Sequence, residues 1–280
     1  MNLIAKLKTL LNLIILNLKI IYEKNTRKNK IILFYYPKSK QIKENLYFIE
    51  KLFENLNNNF KVIFLHQNIK FSKKNYFFIS ESKLNFIKNS DLFISNFICD
   101  NFPKDTKKIY IHHNLYDDPW VSLKKEKETC KRLKNYDYIF VASKEAKIGT
   151  QKMFKKNFVL PPKIFETGYY KLDYFLRNKI NLRNKKIDIL IAPTGINGFS
   201  KMSMVKDLKK IIEKIFSETK YNVVLRPHPR DRNNPIYDKI KVQFNKNDKF
   251  EFDTSPNYYQ VYLKSKIMIT DISGTAYTYA

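Results

Sequence analysis

Cysteine is scarce in this chain: Cys99 and Cys130 are the two examples in 280 residues. They stand far apart, with no CxxC pair and no His/Cys cluster. That excludes a disulfide framework, argues against a structural zinc and suits a reducing cytoplasm. Cys99 falls in the apolar run Leu92 to Cys99 and is expected in the core. Glycine is also sparse, at five residues. None of the spacings forms GxGxxG, so NAD and FAD are not expected as cofactors. Acidic residues number 26 against 53 Lys and Arg, for a formal charge of +27. No Asp-x-Asp ends a strand, so no metal is called for. Long apolar runs are missing too. Leu10 to Tyr22 is interrupted by Asn12, Asn17 and Lys19, and a bilayer span needs about 20 apolar residues. No small-residue cleavage site follows, so no secretory leader is expected.

What remains is a globular composition, 44% hydrophobic, long enough for one or two domains with a sizeable core. The positive balance favours a polyanionic partner. No RNP-type, zinc-finger or helix-turn-helix signature accompanies it, so nucleic acid is not expected. An anionic membrane surface or a phosphorylated substrate fits better, although Lys, Asn and Ile are enriched together, as a biased genome would produce. The N-terminal segment, residues 1–28, reads as an amphipathic helix. At about 100° per residue, Lys8, Asn12, Lys19 and Glu23 share a narrow sector and the rest is largely Leu and Ile. Followed by Lys24, Arg27, Lys28 and Lys30, it suits the inner face of a cell membrane. Packing on its own domain or on a second subunit is the plainer reading.

Strand and helix patterns then alternate, which argues for parallel sheets with crossover helices, an α/β fold. Strands are expected at 30–36, 60–66, 76–80, 91–97, 108–112, 136–142, 187–192, 222–225, 249–252 and 266–270. Helices are expected at 41–56, 120–133, 143–154, 204–216 and 258–264, with Ser143 as an N-cap. Residues 29–176 form one domain, the basic stretch 177–186 a linker and 187–280 a second domain. That second domain is expected to be incomplete, because the helix after Asp271 is only beginning at Ala280.

Two segments carry the chemistry. Val224-Leu225-Arg226-Pro227-His228-Pro229 is a buried strand ending in an Arg and a His between prolines. Proline fixes φ and removes a donor, so the turn is stiff. Met268-Ile269-Thr270-Asp271-Ile272-Ser273-Gly274-Thr275 is a second strand, running into small hydroxylic residues where a helix begins. Ligands of α/β sheets bind at carboxyl ends of strands, so the two together suggest a nucleotide diphosphate site. A third candidate is His112-His113-Asn114 at the end of 108–112.

These segments resemble one family. Gly168-Tyr169-Tyr170-Lys171-Leu172-Asp173 looks like its Gly-Tyr-Pro-Arg-x-Asp. Ile189-Leu190-Ile191-Ala192-Pro193-Thr194 resembles its strand ending in Ala-Pro-Thr. Arg226 to Pro229 and Ile269 to Thr275 resemble its Arg-Pro-His-Pro and Thr-Asp-Tyr-Ser-Ser segments. All four occur in the family's order. The family is the CDP-glycerol glycerophosphotransferases of the wall teichoic acid primase and polymerase type. The resemblance covers residues 107–280 and implies two Rossmann-like domains of GT-B type. Departures are Gly195-Ile196-Asn197-Gly198, where the family has Trp or Arg after Ala-Pro-Thr, and Ile272 and Gly274 in the last segment.

The resemblance implies a transferase that moves glycerol phosphate, or a related polyol phosphate, from a CDP-activated donor to a glycan or lipid-linked acceptor in surface polysaccharide synthesis. His113 matches the family's histidine base better than His112, though either suits deprotonation of a hydroxyl. Asp117 or Asp118 would orient it or act as base. His228 would stabilise charge on the departing nucleotide. Arg226 would meet the phosphates or hold the turn through an acid. Ser273, Gly274 and Thr275 would hold the pyrophosphate; an ordinary helix cap is the plainer reading. Asp271 is counted with the donor site, but as a cap or orienting group, since a carboxylate beside a pyrophosphate is unfavourable. Thr194 and Gly195 end the strand at 187–192, where a glycine permits close approach. His66 reads as structural and Trp120 as a core anchor. Competing functions are a GT-B glycosyltransferase using a nucleotide sugar for capsule or lipooligosaccharide, and an inactive, truncated paralogue acting as a membrane-bound partner.

Overall fold

The computed structural model describes residues 3–36, 53, 59–67, 73–112, 125–170, 172–173, 186–196, 201–255 and 258–279. The chain divides into two compact units, Met1–Tyr170 and Lys171–Ala280. The linker expected at 177–186 lies outside the described residues except for Lys186.

In the first unit, helix α1 (Leu3–Asn25) precedes seven strands. These are β1 (Lys30–Tyr36), β2 (Phe60–His66), β3 (Tyr76–Phe78), β4 (Leu92–Ser95), β5 (Lys107–Ile111), β6 (Tyr138–Val141) and β7 (Lys163–Glu166). They form one parallel sheet in the order β3-β2-β1-β4-β5-β6-β7. Helices α2 (Glu126–Leu133) and α3 (Lys144–Lys156) follow β5 and β6. Ser143 caps α3 by accepting the Ala146 N–H at 3.1 Å. The α/β alternation is that of a Rossmann-like unit. The helix expected at 41–56 falls almost wholly outside the described residues, as do Trp120, Asp117, Asp118 and Asn114.

Helix α1 packs on this sheet. Leu13, Leu16 and Ile20 join Ile31, Leu33, Tyr35, Ile63 and Leu65 in one core cluster. Asp91 ties the end of the helix to the sheet: it meets Lys24 Nζ at 3.0 Å and accepts the Ile31 N–H at 2.7 Å. Glu23 lies in the buried face, where it accepts from Asn29 Nδ2 at 2.9 Å. The remaining arc of the helix faces outward and is apolar: Ile4, Leu7, Leu11, Ile14, Leu18 and Ile21 are exposed. No described helix is long and apolar enough to cross a membrane. On the other face of the sheet Ile32, Phe34, Tyr36, Phe64, Ile94 and Ile109 form a second cluster. His66 is buried beside Tyr76 and Phe78. Both cysteines are buried, and burial pushes the thiols up, Cys99 to about 12 and Cys130 to about 11. Thiols so raised are poor nucleophiles at neutral pH.

The second unit has β8 (Ile187–Ile191), β9 (Val223–Leu225), β10 (Phe250–Phe252) and β11 (Ser265–Ile269). All pair in parallel, in the order β10-β9-β8-β11. The helices are α4 (Leu208–Glu218), α5 (Pro235–Phe244), α6 (Tyr258–Lys264) and α7 (Thr275–Tyr279). The helix expected at 204–216 opens with a 3-10 turn, Met204–Asp207. Helix α5 has no counterpart in the sequence reading. Its signal is Asn234-Pro235: Asn234 accepts the Ile236 N–H at 3.0 Å and proline takes the first turn, the favoured place for a residue without a donor.

Candidate active site

The second sheet runs from β8 outward to β9 and β10, and then restarts with β11 on the opposite side of β8. The carboxyl ends of β8 and β11 are therefore a switch point, where open α/β sheets bind ligands. Thr194 and Asp271 follow those two ends, and Arg226 follows β9.

Asp271 joins the two strand ends. Its Oδ1 accepts the Thr194 N–H at 2.8 Å and its Oδ2 the Met204 N–H at 2.9 Å. Both oxygens are thus engaged with backbone, which makes Asp271 a positioning residue for the segment after β8. Ser203 Oγ donates to Thr194 O at 3.1 Å and closes the same segment from its far end. Thr270 Oγ1 donates to Ala192 O at 2.6 Å.

Arg226 is 5% exposed. Its Nη1 pairs with Asp253 and also donates to Ser255 Oγ at 3.2 Å; its Nη2 donates to Ser255 O at 2.8 Å. Those bonds turn the guanidinium toward the end of β10, so it holds the turn through an acid.

His228 stands on that turn. Its Nδ1 accepts the Arg230 N–H at 3.2 Å. In a neutral imidazole one nitrogen accepts and the other carries the proton, so this bond assigns the N–H to Nε2. The ring lies against Gly195: a Cβ built there would meet His228 Cγ and Nδ1 at 3.2 Å and Asp231 Oδ2 at 3.3 Å. The glycine's lack of a side chain is used by the histidine. Asp231, absent from the sequence reading, is buried and accepts the Ile196 N–H at 2.6 Å. Tyr237 is buried below, and burial first, then Asp231 and Asp271, push its phenol up. Arg230 is exposed and Arg232 half-buried. These cations were also missed, though they directly follow the Arg-Pro-His-Pro motif.

Ser273 and Thr275 face one another, hydroxyl to hydroxyl, and Ser273 Oγ accepts the Thr275 N–H at 3.3 Å. Gly274 lies between them. The structure thus brings together Thr194, Gly195, Arg226, His228 and Asp271, with the Ser273–Thr275 turn next to Asp271 in the chain.

In the first unit His112 directly follows β5. It is 3% exposed, lies beside Tyr110 and donates its backbone N–H to Phe140 O at 3.0 Å. His113 lies outside the described residues. Gly168, which opens the Gly-Tyr-Tyr-Lys segment after β7, has φ +80°. Only glycine takes that conformation readily.

A protein family described as CDP-Glycerol:Poly(glycerophosphate) glycerophosphotransferase matches residues 17–280. No curated protein matches the chain in sequence. Among solved structures it is similar to the wall teichoic acid polymerase TagF. The H548A form has a TM-score of 0.56 and 17% identity, over 100% of this chain and 77% of that one. The H444N form soaked with CDPG has a TM-score of 0.57 and 17% identity, over 98% and 75%. The UDP-GlcNAc 2-epimerase of Methanocaldococcus jannaschii, in complex with UDP-GlcNAc and UDP, has a TM-score of 0.57 and 14% identity, over 89% and 80%. The fold they share with this chain is α/β of GT-B type.

Proposed function

The chain belongs to the CDP-glycerol:poly(glycerophosphate) glycerophosphotransferase family, and from that premise we propose that it transfers glycerol phosphate from CDP-glycerol to a hydroxyl of a glycan or lipid-linked acceptor. The observation that carries the reading is the His228 turn at the switch point of the second sheet. With Nδ1 engaged by the Arg230 N–H, Nε2 is the donor that meets the donor's phosphates. It stabilises charge on the departing cytidine nucleotide as the bond to the transferred phosphoryl group breaks. Arg230 and Arg232 add positive charge beside it, while Arg226 keeps the turn in place. Thr194, Gly195, Ser273, Gly274 and Thr275 frame the pyrophosphate. His113, or the buried His112 before it, takes the acceptor's proton.

Association with an anionic membrane face belongs to the same reading. The outward arc of α1 is Leu and Ile, and Lys8 and Lys19 on one side and Lys6 and Lys24 on the other border it at helical spacing. Such a helix lies in an interface on its apolar arc, with the exposed Lys6 reaching the headgroups.

The test is thermal stabilisation of the purified chain by CDP-glycerol, CMP, UDP and UMP. A shift with CDP-glycerol and CMP that disappears in His228→Ala is the expected result. A shift with uridine nucleotides alone would replace glycerol phosphate transfer with sugar transfer, and no shift with any nucleotide would overturn the donor site.

A further inference from the structure

The first sheet has a switch point of its own. β2 and β3 lie to one side of β1, and β4 to β7 to the other. The carboxyl ends of β1 and β4 therefore mark the place at which α/β sheets take ligands. Asn96 stands there. It follows Ser95, which pairs with Tyr35 of β1 and Tyr110 of β5. One step further along the same register, Asn96 is level with Tyr36 and Ile111, the last residues of their strands.

The Asn96 side chain is fully buried, yet neither its amide oxygen nor its amide nitrogen has a hydrogen-bond partner among the described residues. Its neighbours in the chain are satisfied. Ser95 Oγ bonds Tyr136 Oη at 2.8 Å, and Tyr136 Oη accepts the Cys99 N–H at 2.9 Å. Buried polar groups are almost always paired, because an unpaired one lowers stability. An apolar side chain would avoid that loss. An orphaned amide at the place where the fold binds ligands is instead what a hydrogen-bonding ligand site requires.

The chemistry of the group narrows the ligand. A primary amide offers a donor and an acceptor side by side. An alcohol hydroxyl is itself a donor and an acceptor, so it satisfies both. A phosphate at neutral pH mainly accepts, and would leave the amide oxygen facing an anion. We propose that Asn96 binds a hydroxyl of the acceptor substrate, a polyol or glycan, and sets the specificity of the first unit for hydroxylated acceptors. This rests on the transferase reading above.

The test compares Asn96→Leu with the unaltered chain, using glycerol 3-phosphate as the acceptor probe and 1,3-propanediol phosphate as its analogue lacking one hydroxyl. The leucine variant should keep its melting point within about 4 °C, because loss of the orphaned amide offsets the strain of two larger methyl groups in a buried place. Its kcat/KM for glycerol 3-phosphate should fall about 100-fold, its preference over the analogue should vanish, and its thermal shift with CDP-glycerol should be unchanged. A variant with kcat/KM within threefold of the unaltered chain overturns the proposal. So does one that loses stability in step with activity, with Asn96→Ala behaving alike, or one that does not fold. If the unaltered chain transfers nothing from CDP-glycerol, the transferase reading fails by itself. Titration of both chains with glycerol 3-phosphate then decides about Asn96: weaker binding to the leucine variant supports the proposal, and equal binding overturns it.

Discussion

The two sheets reverse direction once each, and the two switch points are furnished in opposite ways. At the carboxyl ends of β8 to β11, the acids are engaged inward. Asp271 takes two backbone N–H groups, Asp231 takes one and Asp253 takes Arg226. At the carboxyl ends of β1 and β4, Asn96 is buried with no bond to either polar atom. The outer surface of that first unit also leaves the Leu and Ile arc of α1 uncovered. The difference is one of preorganisation. The second unit fixes a histidine turn by its own hydrogen bonds; in the proposed transfer that lets developing charge be met at little cost in reorganisation. The first unit leaves the Asn96 amide unpaired and the apolar arc of α1 exposed.

The contrast can be broken most severely at Arg226. Arg226→Ala leaves Asp253 buried without its partner, and removing one member of a buried pair destabilises by about 3–5 kcal/mol. Denaturant titration should show the loss in the second unit, with the first unit unfolding at its usual midpoint. An equal loss in both units would show that the two are not independently stable. On the first unit, Leu11→Lys with Leu18→Lys should weaken binding to anionic vesicles at least about tenfold. Both side chains are exposed, so stability should stay within about 0.5 kcal/mol. Vesicle binding that survives the double substitution removes α1 as the lipid-facing element.

Gly195→Ala tests the histidine turn more gently. The new methyl meets the His228 ring at 3.2 Å, so the ring must move a few tenths of an ångström. If His228 has the proposed role, its misplacement is felt in the chemical step, and kcat should fall about tenfold with the melting point nearly unchanged. The smallest effect belongs to Asp188, which accepts the Asn222 N–H at 3.0 Å and Lys266 Nζ at 2.7 Å. The Lys266 ammonium and the Asn222 N–H hold its carboxyl below the usual range. A lowered folded pKa stabilises above the unfolded value of about 3.9 and loses that contribution as pH falls through the folded value. Asp188→Asn should therefore cost under about 1 kcal/mol at pH 7, and the difference should shrink in acid. A pH-independent difference would assign the effect to packing.

Much of this was legible in the residues. Strands β1 and β2 fall where their apolar β-branched and aromatic runs place them. Ser143 caps its helix, as expected of a serine before the first helical residue. The Arg226 and Asp271 segments end strands, as their prolines and small residues require. Helix α5 was missed although Tyr237, Ile240 and Phe244 repeat at helical spacing, because it is only ten residues long and follows a polar, proline-containing stretch; its sharpest signal is the cap, Asn234-Pro235. The partners of Arg226 and Asp271 were unreadable for another reason. Asp253 is 27 positions from Arg226, and Thr194 is 77 from Asp271.

The sequence by itself determined the alternation of strand and helix, the family and the candidate histidines, because these rest on local patterns and ordered motifs. Tertiary structure alone decided which groups are engaged and which are left over. Arg226 is turned away from solvent by Asp253, Gly195 makes room for the His228 ring, and Asn96 is buried unpaired. Each of these outcomes depends on chain segments far apart in sequence meeting at a strand end. No local propensity encodes such a meeting; the parallel sheet, with its crossovers, creates it.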